Sequence, residues 1–171
     1  VRVRHMLDVL ANDLGPDAVG ARQKRSLNGL KVVPYYGCQT VRPYPAYDAP
    51  DQPMTMDTVL KALGAEVVPY PLKARCCGGI NITTAKDMGI KLVSDLLAAA
   101  AGADCIVTVC PLCQMNLDSY QADVSRFLGR EIRMPVLYLT QLMGLAFALP
   151  DAEILLNKNI SSPQPVLARL G

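Results

Sequence analysis

The chain has no tryptophan, only two phenylalanines and a single histidine, His5. One imidazole excludes a metal site or catalytic relay built on several histidines. Charge is also scarce, at 19% of residues with a net +2. It is scattered, so nothing resembles the basic footprint of a nucleic-acid partner. Long apolar runs are missing too. The longest nearly charge-free stretch, Val136 to Leu149, falls short of the ~20 residues that span a bilayer, so membrane insertion is not expected. Arg2, Arg4, Asp8 and Asp13 interrupt what would have to be the apolar core of a secretory leader. These absences point to a cytoplasmic, reducing location, where structural disulfides are rare and cysteine clusters bind metal or do redox chemistry. The chain opens on Val1 rather than Met, which points to processing or to a longer parent chain.

What is present is a hydrophobic content of 51% over 171 residues, enough for one domain with a real core. Residues 1–28 read as an N-terminal helix and linker, and residues 29–171 as a single domain. Val3, Met6, Leu7, Leu10 and Leu14 recur at helical spacing before Gly15-Pro16. Short β-branched or apolar runs predict strands near 31–36, 66–70, 104–109 and 135–139. Between them, helices are expected over 54–63 and 84–101, the latter with Ala85, Met88, Leu92, Val93, Leu96 and Ala100 on its apolar face. A further helix opens at Pro111 and carries Cys113, Leu117, Tyr120, Val124 and Phe127, and an apolar one runs to Leu149. A last helical turn is expected at 166–170. Four prolines make 39–53 an ordered loop rather than a regular element. The alternation predicts an α/β fold, a three-layer Rossmann-like domain with a mostly parallel sheet of about four strands. Ligands of such sheets sit beyond the carboxyl ends of the strands.

Six cysteines are the outstanding feature, and five follow strand ends: Cys38, Cys76, Cys77, Cys110 and, one helical turn later, Cys113. Cys-Pro-Leu-Cys at a helix start sets two thiols where backbone N–H groups favour thiolate. Cys76-Cys77 followed by Gly78-Gly79 lets adjacent side chains diverge while the backbone approaches what they hold. An adjacent pair is poorly suited to a disulfide with itself. A lone Cys-x-x-Cys is shared by redox motifs, zinc sites and chance. Five converging thiols with no convergent histidine or carboxylate favour a soft, all-sulfur site, whether tetrahedral zinc or iron–sulfur. Cys105, mid-strand in an apolar run, reads as a core thiol. His5 reads as a surface residue, and Tyr35 and Tyr36 as strand packing.

Cys76-Cys77-Gly78 between an upstream Cys and a downstream Cys-x-x-Cys resembles the CCG domain. Tyr35-Tyr36-Gly37-Cys38 with Val41-Arg42-Pro43, and Cys110-Pro111-Leu112-Cys113-Gln114 running to Asn116-Leu117-Asp118, are similar to the C-terminal half of the heterodisulfide reductase B subunit. The resemblance implies a noncubane 4Fe-4S cluster held by Cys38, Cys76, Cys77, Cys110 and Cys113, the cofactor-binding, metal and catalytic set alike. It implies a disulfide oxidoreductase acting within a complex, with a flavin-containing A subunit and an iron–sulfur C subunit as partners. The substrate would be a disulfide or thiol, including one carried by a lipoyl-binding protein, and both reaction directions occur among the relatives. The family's B subunit carries two CCG motifs and this chain one, so the resemblance implies half of a catalytic unit. Two other readings stay open: a four-cysteine zinc module for complex assembly, and pure electron transfer as in quinone- or hydroxyacid-linked CCG proteins.

Overall fold

The computed structural model describes residues 1, 3–27, 29–43 and 47–171. Part of the proline-rich loop, 44–46, therefore lies outside the described residues. Four strands, β1 (Lys31–Tyr35), β2 (Glu66–Val67), β3 (Cys105–Thr108) and β4 (Val136–Tyr138), form one all-parallel sheet in the order β2-β1-β3-β4. The register pairs Val32 with Val67 and Cys105, and Ile106 with Val136. Successive side chains of a strand face opposite ways, and here both faces are buried. Val32, Cys105, Val107 and Leu137 enter one core, while Val33, Tyr35, Ile106 and Val136 enter the other.

Helices cover both faces, which makes three layers. In chain order they are α1 (Met6–Asp8, continued by a π-type turn over Val9–Leu14), α2 (Pro16–Gly20), α3 (Cys38–Val41), α4 (Thr55–Ala62) and α5 (Asn81–Thr84). They continue with α6 (Lys86–Ala99), α7 (Pro111–Ser119), α8 (Gln121–Leu128), α9 (Leu139–Ala146), α10 (Asp151–Ile154) and α11 (Gln164–Leu170). Residues of α1, α2, α4, α9, α10 and α11 share the first core, and those of α6, α7 and α8 share the second. Leu7, Val19 and Leu27 join the same core as β1, and the amides of Lys24 and Arg25 both bond the carbonyl of Ala146 at the end of α9. Burial of Leu139, Leu142, Leu145 and Ala146 assigns the apolar helix to the core.

Several boundaries depart from the sequence expectation for identifiable reasons. β2 is short because Pro69 brings no N–H to the ladder. The Val68 amide still bonds the carbonyl of Val32 at 2.9 Å, and from Pro69 onward the chain leaves the sheet, with Tyr70 buried and its hydroxyl bonding the carbonyl of Leu96. The inward face of α6 is Ile90, Val93, Leu96, Leu97 and Ala100, whereas Met88 is 55% exposed and Ala85 precedes the helix. Gly89 makes the difference: a Cβ there would lie 2.7 Å from Ile82 Cδ1, so α5 packs on Gly89 and turns Met88 outward. The helix opened by Pro111 breaks at Tyr120, and the exposed Phe127 belongs to α8. At the break, the Gln121 amide bonds the carbonyls of Leu117 and Met134 and accepts from Met134 N–H. The expected loop over 39–53 is not irregular throughout: residues 39–41 belong to α3, ahead of the first of the four prolines, Pro43. Beyond it Arg42 bonds Pro50 and Asp51, and the Asp48 carboxylate accepts from the amides of Met54 and Thr55 at the start of α4.

Buried Asp118 ties the C-terminal segment to the edge strand, accepting from the amides of Ile160 and Ser161 at 2.7 Å and from the Ser161 hydroxyl. Ser161 in turn accepts from Val136 N–H at the open edge of β4. Asp118→Ala strands two amides, and charge-assisted bonds of this kind are worth ~1.5–3 kcal/mol each before compensation by water. A net loss of ~2–3 kcal/mol in urea unfolding is expected, with alkylation of the folded protein's thiols unchanged.

Candidate metal centre

The strand order places a topological switch between β1 and β3. The chain leaving β1 crosses toward β2 on one side, and the chain leaving β3 crosses toward β4 on the other, so a crevice opens between them at the carboxyl ends. Gly37-Cys38 follows β1, and Cys110 and Cys113 follow β3 at the start of α7. The stretch from Val68 to Arg75 brings Cys76 and Cys77 to the same edge. All five cysteines, with Gln39, Gly79, Ile80 and Leu112, line one small cavity of about 30 Å³. Wider grooves, of about 560 and 510 Å³, lie along 151–167 and beside α8, and neither contains a cysteine. Cys105 stands apart in the middle of β3, fully buried, with its thiol pushed up by burial.

The thiols differ in what surrounds them. Cys113 lies between Cys110 and Cys77, and its interaction with both holds its own pKa up while lowering theirs. Cys110 falls to about 6, first through Cys113 and then through the backbone amides of Cys113 and Leu112 in the opening turn of α7. Cys77 is lowered by Cys113, the Gly79 amide and Asn116 against the opposing effect of burial. Cys38 is raised by burial and by its hydrogen bond with Cys76, which is itself exposed at the mouth. Among the described residues no three His, Cys, Asp or Glu side chains are grouped as ligands of one metal ion.

Residues without a motif signature hold these loops. Asn116, buried in α7, donates to the Cys77 carbonyl at 2.6 Å. Tyr35 donates to the Arg75 carbonyl at 2.6 Å, so the Cys76-Cys77 turn is gripped from both sides. Tyr35 is therefore more than strand packing: its phenol lies close enough to Cys113 and Cys77 for their charges, after burial, to raise its pKa. Tyr138 donates to the Val109 carbonyl at 2.5 Å, just before Cys110. Gly37 has φ +75°, and a Cβ there would sit 2.7 Å from Cys113 Sγ, so only glycine permits this approach of strand end to helix start. His5 is half-buried and is not among the residues that line the thiol cavity. Its Nδ1 accepts from Leu7 N–H at 3.1 Å, and its ring stacks on Tyr47.

A family model described as a cysteine-rich domain, CCG, matches residues 32–118, and the chain belongs to that family. Among individual relatives it is 39% identical to the 8-methylmenaquinol:fumarate reductase membrane anchor subunit of Wolinella succinogenes, over 92% of this chain and 56% of that one. It is 30% identical to the B subunit of the ferredoxin:CoB-CoM heterodisulfide reductase of Methanosarcina mazei, over 98% of this chain and 58% of that one. A protein of Archaeoglobus profundus described as like the heterodisulfide reductase B subunit is 29% identical over 90% and 54%. The chain thus spans a little over half the length of these curated relatives. The fold is shared with a hypothetical protein from Helicobacter pylori, with a TM-score of 0.64 at 10% identity, covering 86% of this chain and 28% of that one. No helix among the described residues is long and apolar enough to cross a membrane.

The Cys110 thiolate fraction rises with pH through about 6. In metal-free protein, alkylation of Cys110 by iodoacetamide is therefore expected to reach half its plateau rate near that pH, while Cys105 stays unmodified in the folded state. Peptide mass mapping across pH 5–9 checks this. A half-point at ~8.5, the value of an unperturbed thiol, contradicts the effect of Cys113 and the helix terminus.

Proposed function

We propose that the chain is an iron–sulfur redox subunit of a multi-subunit complex, with Cys38, Cys76, Cys77, Cys110 and Cys113 as the ligands. The observation that carries this reading is the donor set: five thiols from the ends of three strands share one cavity. No imidazole or carboxylate lines it among the described residues. All-sulfur surroundings suit iron–sulfur chemistry. A tetrahedral zinc ion needs four ligands on one centre, which leaves one thiol over. The five-thiol complement supports the noncubane 4Fe-4S cluster of the heterodisulfide reductase B subunit.

Such a cluster, when bound, supplies single electrons and a soft metal that accepts a sulfur ligand. The chain's own residues prepare the site. Cys110 and Cys77 are biased toward thiolate, and Asn116 and Tyr35 fix the adjacent pair. Ile80, 68% exposed, and Leu112 form an apolar rim that limits water while leaving Cys76 at the opening. Cleaving a disulfide consumes two electrons and two protons and yields two thiols, and the reverse releases them. Electrons must therefore pass to or from partner subunits, proposed here as a flavin-containing A subunit and an iron–sulfur C subunit in the cytoplasm. The substrate is a disulfide or a thiol pair, small or carried by a lipoyl-binding protein.

A second reading, electron transfer from a quinol without disulfide chemistry, is favoured by the higher identity to the fumarate reductase subunit than to the heterodisulfide reductases. Anaerobic purification tests the iron–sulfur assignment that both readings share. Iron and acid-labile sulfide with a visible chromophore are expected, and Cys77→Ser abolishes the chromophore while retaining the far-UV signal of the fold. A colourless protein with one zinc, or an unchanged iron spectrum in Cys77→Ser, overturns the proposal. In the native complex, a paramagnetic signal perturbed by a mixed thiol disulfide supports disulfide chemistry, whereas reoxidation by menaquinone without that perturbation supports the second reading.

A further inference from the structure

Behind the thiol cavity, Tyr36, Asp57 and Lys73 form a buried network, with Lys73 only 4% exposed. Lys73 Nζ donates to Asp57 Oδ1 at 2.6 Å and to the Pro53 carbonyl at 3.0 Å. The Tyr36 hydroxyl donates to Asp57 Oδ2 at 2.7 Å and accepts from the amides of Met56 and Asp57. Four segments meet here: the end of β1, the end of the proline-rich loop, the first turn of α4 and the turn ahead of Cys76. The Lys73 backbone completes the junction, its carbonyl accepting from the amides of Tyr36 and Gly37 at 2.9 and 3.1 Å. Tyr36-Gly37 leads directly into Cys38, and Lys73 leads three residues on to Cys76.

A buried ion pair is a poor source of stability, because desolvation commonly offsets the Coulombic gain and apolar replacements are often neutral or better. What it supplies is a single geometry. We propose that Lys73, Asp57 and Tyr36 are positioning residues that set Cys38 against the Cys76-Cys77 turn, an inference that rests on the five-thiol site described above. The side-chain ammonium is held at three points, by Asp57, Pro53 and the thioether of Met54. The Lys73 backbone is thereby fixed, and with it the carbonyl that anchors Gly37. The two ligand-bearing loops come from segments nearly forty residues apart in sequence, and this junction joins them by both side chain and backbone. Partners that orient metal ligands are commonly worth ~10–100-fold in metal affinity.

The test uses the full chain, freed of metal and equilibrated with reduced and oxidised glutathione. Peptide mapping then reads the fraction of Cys38–Cys76 disulfide, since those two thiols line one cavity of about 30 Å³ from the two loops that the junction joins. In Lys73→Met/Asp57→Leu the effective concentration of the pair is expected to fall by ~10-fold, with Tm unchanged or raised. A merely structural network would instead lower Tm and leave the pairing as it was. Should the double variant not fold, Tyr36→Phe, which removes one hydroxyl at constant volume, is read in the same way with a drop of several-fold expected. Equal pairing in native and variant chains, including pairing in neither, overturns the proposal. The measurement needs no iron, so its failure leaves the iron–sulfur reading standing, and a protein that purifies without iron leaves this test intact.

Discussion

Burial of the sheet on both faces is the constraint from which the rest of the structure follows. A strand with apolar side chains on both sides needs a helical layer above and another below. Parallel pairing is the arrangement that lets crossovers supply both. Every crossover then starts at the same edge, so the residues that follow β1, β2 and β3 are delivered to one place. Because β3 pairs with the opposite side of β1 from β2, the chain departs in two directions and leaves a crevice between the departures. Cys38 stands on one wall of it, and Cys110 and Cys113 on the other. The early end of β2 matters as well: once Pro69 stops the ladder, residues 69–75 are free to swing Cys76 and Cys77 back over the opening.

Within that crevice the thiols are unequal, and the inequality comes from their neighbours. Cys113 is held up, whereas Cys110 and Cys77, each beside it, are biased toward thiolate. The opening amides of α7 add to this for Cys110. Buried polar groups are concentrated around the site. Asn116 holds Cys77, Tyr35 holds Arg75, Tyr138 holds Val109, and the Lys73–Asp57–Tyr36 junction holds Gly37. Each fixes the backbone next to a cysteine rather than the sulfur itself. That is the pattern expected of a centre whose ligands must be in place before the cofactor arrives.

Much of the fold is legible in the sequence because two-sided burial writes itself as short apolar runs separated by helical periodicity. The four strands, the parallel sheet and the separation of Cys105 from the other five cysteines all follow from that pattern. The departures occur where a local signal is overridden by packing. The apolar spacing of Ala85 and Met88 suggests an inward face, but the missing side chain of Gly89 draws α5 onto the other side of the helix. The run opened by Pro111 keeps helical spacing through Phe127, yet the helix breaks at Tyr120, where the amide of Gln121 joins Leu117 to Met134. Tyr35 reads as packing because a strand phenol carries no mark of where its hydroxyl ends.

Residue types and their places after strand ends are local properties of the chain, so the class of chemistry is already written in the sequence. Five thiols, one histidine and the CCG spacing exclude a centre built on several imidazoles and favour an all-sulfur one before any fold is known. Which groups hold the loops that carry those thiols, and which thiols are biased toward thiolate, depends on tertiary structure alone. Lys73, Asp57 and Asn116 have no motif of their own. Their roles arise from distances between segments tens of residues apart, and such distances exist only after the sheet has brought its strand ends together.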